Sequence, residues 1–372
     1  MLLIVNAGSS SLKVAVFDAD LAQVAAGAVT EIGGAARLGA RAVAAPDHTA
    51  AMAVLLDQLQ AQGWPLSRLT AAAHRIVHGG ADLTAPCRLT ADVIARIAAL
   101  IPLAPLHNPA NLAAVQALCA LAPALPQYAS FDTAFHASIP AVACRYALPP
   151  EAEALGLRRY GFHGLSYAAI VAGWDGPLPR RLLAYHLGNG ASAAAILDGG
   201  SVATTMGYSP LDGLTMGTRT GEIDGNAVLR LAEVHGIGGA GRILNRESGL
   251  KGLAGASDMR VLAGAGTAKA AFARDHFAYW AIRHGGSLIA AMGGLDAVAF
   301  TGGIGENDAK VRAAIVQGMG FMGASLDPAA NAAGALDIHS DHSRVAIRLV
   351  LAREERQIAQ EAMALMAAGD KP

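Results

Sequence analysis

Cysteine is nearly absent: Cys87, Cys119 and Cys144 are the only three in 372 residues. They stand far apart with no C-x-x-C spacing, which excludes a disulfide framework or a zinc knuckle and suits three reduced structural thiols in a cytosolic protein. Charge is scarce too, at 15% of residues, and the formal net charge is −1. That balance argues against a nucleic-acid coat or a polybasic membrane binder. Long apolar runs are missing. Residues 97–131 carry no formal charge, but Pro102, Pro105, Pro109, Pro123 and Pro126 break the stretch, as do His107, Asn108 and Asn111. A spanning helix needs about 20 mostly apolar residues in a row, so this segment reads as buried loop, helix and strand. No basic region precedes Leu2–Val5, so no signal peptide is expected. No G-x-x-x-x-G-K-[ST] occurs, which excludes a P-loop.

What is abundant is apolar surface. Hydrophobic residues make up 53% of the chain and mean hydropathy is +0.37, which excludes disorder for most of it. The length predicts two domains, or three, at roughly 150 residues each. The chain opens as strand 2–5, a turn at Asn6–Ser11, strand 12–17, a turn at 18–20 and a candidate strand 21–29. Tight polar turns of this kind suit antiparallel hairpins. The rhythm returns at 182–185, 193–197 and 201–205. At an ungapped offset of 180, Leu2, Leu3, Gly8, Ala15 and Asp18 fall on Leu182, Leu183, Gly188, Ala195 and Asp198. Two similar domains, each opening with a meander, are therefore predicted. Elsewhere the patterns predict helices at 51–60, 91–100, 111–121, 226–235, 268–292, 308–319 and 354–366, and strands at 71–77, 127–131, 295–301 and 345–351. Strands alternating with helices indicate an α/β fold.

Four strand-end turns are rich in glycine and in hydroxyl or amide groups: Asn6–Ser11, His186–Gly190, Arg219–Asp224 and Gly302–Asn307. Each is an ordinary turn by itself. Together, with two at matching places in a repeat, they suggest phosphate binding, because glycine lets the backbone approach an anion closely. Gly188-Asn189-Gly190-Ala191-Ser192-Ala193 fits the dinucleotide fingerprint, with Asp212 at a suitable distance. That motif needs a helix after the turn, whereas Asp198-Gly199-Gly200 ends this element after about seven residues, as a hairpin strand would.

Single residues carry both a structural and a chemical reading. Lysine is rare, five against twenty-three arginines. Lys13, just past the first turn, is either a solvent-facing strand residue or a phosphate ligand. Arg75 lies in the apolar strand His74–Val77 and needs an anion if buried. Arg219 stands among small residues in Gly217–Gly221, as a surface arginine or an anion ligand. Asp132 closes a strand, where it forms a turn or acts as an acid or metal ligand. His163 sits between glycines and an aromatic, structural or functional. Glu354 opens the last helix, where a carboxylate also complements the macrodipole.

Taken with Pro105-Leu106-His107-Asn108-Pro109, Phe131–His136, Arg159–Gly164, His186–Ser192, Met206–Asp224, Glu247–Arg260 and Thr301–Asn307, these segments closely resemble the acetokinase family from residue 6 to 307, with Glu354-Glu355 beyond. The resemblance implies an actin-like ATPase fold: two duplicated ribonuclease-H-like domains around a central cleft. The expected limits are 1–140 plus 356–372, closed by the C-terminal helix, and 141–355, which binds nucleotide. It also implies reversible transfer of the ATP γ-phosphoryl group to acetate, with Mg²⁺ or in its place Mn²⁺, in a cytoplasmic homodimer with no nucleic-acid or membrane partner. By resemblance, Asp132, His163 and Arg219 are catalytic, Arg75 binds the substrate carboxylate, and Val77, Leu106, Phe162 and Pro210 surround the acyl group. Asn6 and Glu354 are expected at the metal, with Glu355 as the substitute for Glu354. ATP is expected against Lys13, His186, Leu187, Gly188, Asn189, Gly190, Asp258, Met259, Arg260, Gly303, Ile304, Gly305, Glu306 and Asn307. Two departures stand out: Gly225 follows Asp224 where the family usually has proline, and Ala352-Arg353 precede the Glu pair in place of Thr-Asn. A propionate or butyrate kinase, and a non-enzymatic ATP-driven actuator on the same fold, are the alternative readings.

Overall fold

Short alternating apolar runs joined by glycine, serine and aspartate turns fold here as two hairpin-led sheets. The computed structural model describes residues 1–369, so the last three residues of the expected 356–372 segment lie outside the described residues. The chain divides into two compact units. One comprises Met1–Phe135 and the segment from Arg353 onward; the other is His136–Ala352.

In the first unit, β1 (Leu2–Gly8), β2 (Ser11–Phe17) and β3 (Gln23–Thr30) form an antiparallel meander. With β4 (Arg37–Leu38), β5 (Arg41–Ala42), β6 (Ala71–Ile76), β7 (Cys87–Arg88) and β8 (Gln127–Phe131), the sheet order is β5-β4-β3-β2-β1-β6-β8-β7. β1, β6 and β8 run parallel. Because strand side chains alternate between faces, Leu3, Val5, Leu12, Val14 and Val16 share one face. They join Met52, Leu55 and Leu59 of the helix His48–Ala61 and Ala114 and Leu118 of the helix Asn108–Leu121 in one core. Asp47 starts the first of these helices, accepting the Ala50 N–H at 2.8 Å. The last helix, Glu354–Ala367, packs on β1, β2, β6 and β8. Its inward face is Ile358, Ala359 and Ala362, all buried.

In the second unit, β9 (Arg181–Leu187), β10 (Ala191–Leu197), β11 (Gly200–Thr204), β12 (Ala297–Thr301) and β13 (Ala346–Leu349) are ordered β11-β10-β9-β12-β13. Meander first, then two parallel strands: this repeats the arrangement β3-β2-β1-β6-β8. The long helix Ala268–Met292 packs on β9, β10 and β11. At Gly285 a Cβ would collide with the Tyr185 hydroxyl oxygen, so glycine is what lets that helix approach.

The ungapped offset of 180 fails inside the hairpin. It requires Leu187 opposite Ser192, but Leu187 pairs with Ala191, one residue sooner. The second turn is one residue shorter, so the overlay cannot hold both strands, and a one-residue slip exchanges the faces of a strand. Gly302–Asn307, expected as a turn, is a short helix. Gly164–Ala172 is a helix that the patterns did not predict. β10 follows the Gly188–Gly190 turn where the dinucleotide fingerprint needs a helix. Among the described residues, no helix is long and apolar enough to cross a membrane.

Candidate active site

In α/β sheets, ligands collect at the C-terminal ends of parallel strands. In the first unit those ends carry Asn6 on β1, Arg75 on β6 and Asp132 just after β8, whose N–H donates to the Ile76 carbonyl at 3.0 Å. Arg75 forks onto Asp132, Nε to Oδ1 at 3.0 Å and Nη2 to Oδ2 at 2.7 Å. Its third nitrogen faces the Glu354 carboxylate at 3.7 Å. Asp132 is buried, with 1% of its surface exposed. Burial opposes charge on Arg75, but the carboxylates of Asp132 and Glu354 outweigh it and hold the guanidinium above its ordinary pKa. Burial pushes the Asp132 carboxyl up, and the Arg75 fork pulls against that. Lys13 pairs across the hairpin with Asn6 and, with Glu355 and Gln23, lines a cavity of about 400 Å³ floored by Ile4, Ala15, Ala26 and Ala28.

The Leu106–Pro109 segment proves to be a clamp for the chain beyond β6. The Asn108 amide binds both the N–H and the carbonyl of His78, at 3.1 Å each. Asn111 accepts the Val77 N–H at 3.0 Å and donates to the Ala7 carbonyl at 2.8 Å, tying β6 to β1. Val77 is buried and Leu106 is 42% exposed.

In the second unit, the turn after β9 meets two loops. Gly217 N–H donates to the Asn189 carbonyl at 2.9 Å, which seats the Gly217–Gly221 loop on the Gly188–Gly190 turn. A Cβ on Gly190 would stand 2.8 Å from Arg219 Nη2 and 3.3 Å from His163 Nε2. Arg219 and His163 thus border the same glycine. The Arg219 guanidinium donates to the Pro210 carbonyl at 2.5 Å and, among the described residues, has no carboxylate partner. Burial pushes its pKa down to about 10. His163 has a left-handed backbone, φ 59°, at the start of the helix Gly164–Ala172. Its ring stacks on His186 with centroids 4.1 Å apart. Its Nδ1 lies 2.8 Å from Ser192 Oγ, which is itself 2.5 Å from the Tyr167 hydroxyl. His186 Nδ1 is 2.9 Å from Ser166 Oγ. Phe162 is buried; its carbonyl lies 3.0 Å from the ring nitrogen Nε2 of His136.

Beside these groups is a cavity of about 920 Å³. Of the residues expected at nucleotide, Gly188, Asn189, Asp258, Met259, Arg260, Gly303, Ile304 and Asn307 line it. His186, Leu187, Gly190, Gly305 and Glu306 stand outside that lining. Glu306 instead ties two backbone segments together, its Oε1 accepting the N–H groups of Gly302 at 3.0 Å and Ala352 at 2.8 Å. The Gly305 and Glu306 carbonyls both bind the buried Arg312 at 2.9 Å. Sequence reasoning passed over Ser257, Arg274, Asp308 and Lys310, which also line the cavity. Arg274 pairs with Asp308 at 3.0 Å. Asp308 starts the helix Ala309–Gly318, and an aspartate ahead of a helical pattern was the available signal.

Among the described residues, no group of three or more His, Cys, Asp or Glu side chains is gathered for a metal. A hard cation that keeps its waters needs only one or two carboxylates. The oxygen donors Asp132 and Glu354, both held to Arg75, suit such an ion.

The model of the acetokinase family matches residues 1–360. The acetate kinase of Rhodopseudomonas palustris is 43% identical over 397 residues, covering 99% of each chain. Among solved structures, the acetate kinase of Porphyromonas gingivalis superposes with a TM-score of 0.89 at 34% identity, covering 98% of this chain and 99% of that one. A propionate kinase from Francisella tularensis superposes with a TM-score of 0.91 at 33% identity, covering 97% and 98%.

Proposed function

The chain belongs to the acetokinase family, and from that premise we propose that it transfers the γ-phosphoryl group of ATP to acetate, reversibly and with Mg²⁺, giving acetyl phosphate and ADP. The observation that carries the reading is Arg219, a half-buried cation beside His163 and Gly190 with only a carbonyl for a partner among the described residues. A site of that kind is built to receive negative charge.

Both substrates are anions, and in-line transfer spreads charge over three equatorial oxygens. Catalysis is then positioning and electrostatics. A carboxylate nucleophile is already ionised at neutral pH, so no general base is required to activate acetate. Arg219 and His163 are the proposed donors to the transferring group. Arg75 is the proposed partner of the acetate carboxylate, using the N–H groups that its fork with Asp132 leaves over. Asp132, Glu354 and Asn6 are the proposed holders of Mg²⁺, or of Mn²⁺ in its place; the ion supplies charge neutralisation between the phosphates when bound. The 920 Å³ cavity of the second unit is the proposed nucleotide site. We assign the protein to the cytoplasm and to a homodimer, the latter supported by Leu229, Val234 and Ile237, which are 56–87% exposed; sedimentation tests the dimer.

The likeness to a propionate kinase supports a second reading in which the acyl group is longer. The experiment for both is ADP release by the purified protein with acetate, propionate or butyrate. Acetate is expected to be preferred, with propionate lower by about 10- to 200-fold in kcat/KM. Preference for propionate moves the assignment to the second reading. Release of ADP that no carboxylic acid stimulates removes both and leaves an ATP-driven actuator.

A further inference from the structure

We propose that Tyr167 and Ser192 form a hydroxyl relay that holds the His163 imidazole as its Nε2–H tautomer, which makes Ser192 a positioning residue for the transfer. The three groups form a chain: Tyr167 Oη to Ser192 Oγ at 2.5 Å, and Ser192 Oγ to His163 Nδ1 at 2.8 Å. Tyr167 and Ser192 are both fully buried, so water does not compete for these protons.

The direction of the relay follows from acidity. A phenol is a far stronger hydrogen-bond donor than an alkyl alcohol. Burial raises the Tyr167 pKa, so the phenol keeps its proton. Tyr167 therefore donates to Ser192. The Ser192 hydroxyl then has one acceptor in reach for its own proton, His163 Nδ1; accepting from both neighbours would leave that proton buried and unbonded, so Ser192 donates to Nδ1. A neutral imidazole that accepts at Nδ1 carries its proton on Nε2. Nε2 is the ring atom nearest the space over Gly190, which Arg219 Nη2 also borders. The relay thus aims a fixed N–H beside the guanidinium. Donors held in place before charge develops need no reorganisation during the reaction. The stacked His186, itself held at Nδ1 by Ser166, fixes the plane of the ring.

What the N–H faces rests on the acetate kinase reading; the tautomer itself does not. Two variants of the full chain test the relay, Tyr167→Phe and Ser192→Ala. The readouts are acetate-dependent ADP release and long-range ¹H–¹⁵N correlation spectra, with His163 assigned through His163→Gln. The wild type is expected to show the Nε2–H form. Tyr167→Phe keeps the ring and deletes one proton; it is expected to mix the tautomers and lower kcat, with acetate KM little changed. Ser192→Ala is expected to lower kcat by about 10- to 100-fold, the worth of one hydrogen bond to a charged group. An Nδ1–H tautomer in the wild type overturns the relay. So does an unchanged tautomer in Tyr167→Phe, which remains informative if Ser192→Ala does not fold. A wild type with the Nε2–H form and no acetate-dependent ADP release sinks the proposed function and leaves the relay standing.

Discussion

Arg75 and Arg219 carry the same guanidinium into opposite surroundings, and that contrast predicts different consequences for their removal. Arg75 is forked onto Asp132 and faces Glu354, so Arg75→Ala leaves a buried carboxylate unpaired. A loss of about 3–5 kcal/mol is expected, read as a lower denaturation midpoint, together with lost turnover. Arg219 has no carboxylate partner among the described residues, and burial already pushes its pKa down. Arg219→Met keeps the alkyl stem and drops the charge. It is expected to lower kcat far more than acetate KM while the denaturation midpoint holds or rises. A midpoint that falls as far as in Arg75→Ala sinks the idea that the cation is held in reserve for an anion. Asp132→Asn is expected to fold and to lose most turnover; near-normal kcat at saturating Mg²⁺ removes Asp132 from the metal. The need at Arg75 was legible in the sequence, since an arginine in an apolar strand needs an anion. Which anion was not. The Arg75–Asp132 fork joins residues 57 apart, which only the pairing of β6 with β8 brings together. Histidine burial adds a pH dependence. His74, His78 and His136 are buried, and desolvation brings each pKa down to about 4. Unfolding restores a value near 6.5, so between about pH 6.5 and 4 the unfolded chain binds more protons. Stability is then expected to be flat above pH 7 and to fall on acidification, by up to about 1.4 kcal/mol per pH unit for each of the three. Urea midpoints from pH 8 to 5 check it, and a rise on acidification contradicts the neutral buried rings.

Glycines decide how the elements meet, and two of them separate function from folding. At Gly190 an added methyl group meets the ends of Arg219 and His163, both side chains. At Gly249, with φ +62°, it collides with the backbone carbonyl oxygens of Met216 and Arg219. Gly190→Ala is therefore expected to keep the melting temperature and lower kcat. Gly249→Ala is expected to cost about 1–3 kcal/mol through its left-handed backbone alone, and more through the clash. Equal melting temperatures for the two variants refute this division. The same elements mark the limit of sequence reading. The helix Ala268–Met292 and the strand Gln127–Phe131 were predicted to the residue, because long periodicity and a short, mostly apolar run are strong local signals. The helix Gly164–Ala172 escaped because it begins on His163 in a left-handed conformation, with no serine, threonine or aspartate cap. Gly302–Asn307 looked like a turn because Gly302, Gly303 and Gly305 fill half of it and glycine disfavours a helix interior. In the structure Glu306 reaches back four residues to the Gly302 N–H, and the same oxygen takes the N–H of Ala352, a long-range contact that local sequence does not show.

At the scale of the whole molecule, the chain builds the first unit with its two ends. β1 and the helix Glu354–Ala367 come from opposite ends of the sequence, yet Ile358, Ala359 and Ala362 pack on β1, β6 and β8. The patterns predict that last helix; its target was visible only as far as the repeat was, since a meander sheet with helices on one face still lacks a cover for the other. The duplication was legible in the rhythm of strands and turns, and less so in residue identities, which the one-residue difference between the two hairpins misaligns. The return of the helix also places Glu354 beside Arg75, so cover and chemistry come from one segment. Ile358→Ala tests whether that cover is local to its unit. Removing a fully buried isoleucine side chain costs about 2–5 kcal/mol. If the two units open separately, hydrogen exchange in the variant should quicken for β1, β6 and β8 and stay as in the wild type for β9, β10 and β12. Each sheet then owes its protection to its own helices, and the deficit remains where the methyl groups were lost. Quickening of equal size in both sheets gives the opposite answer: the units unfold as one cooperative body, and the last helix stabilises the whole chain.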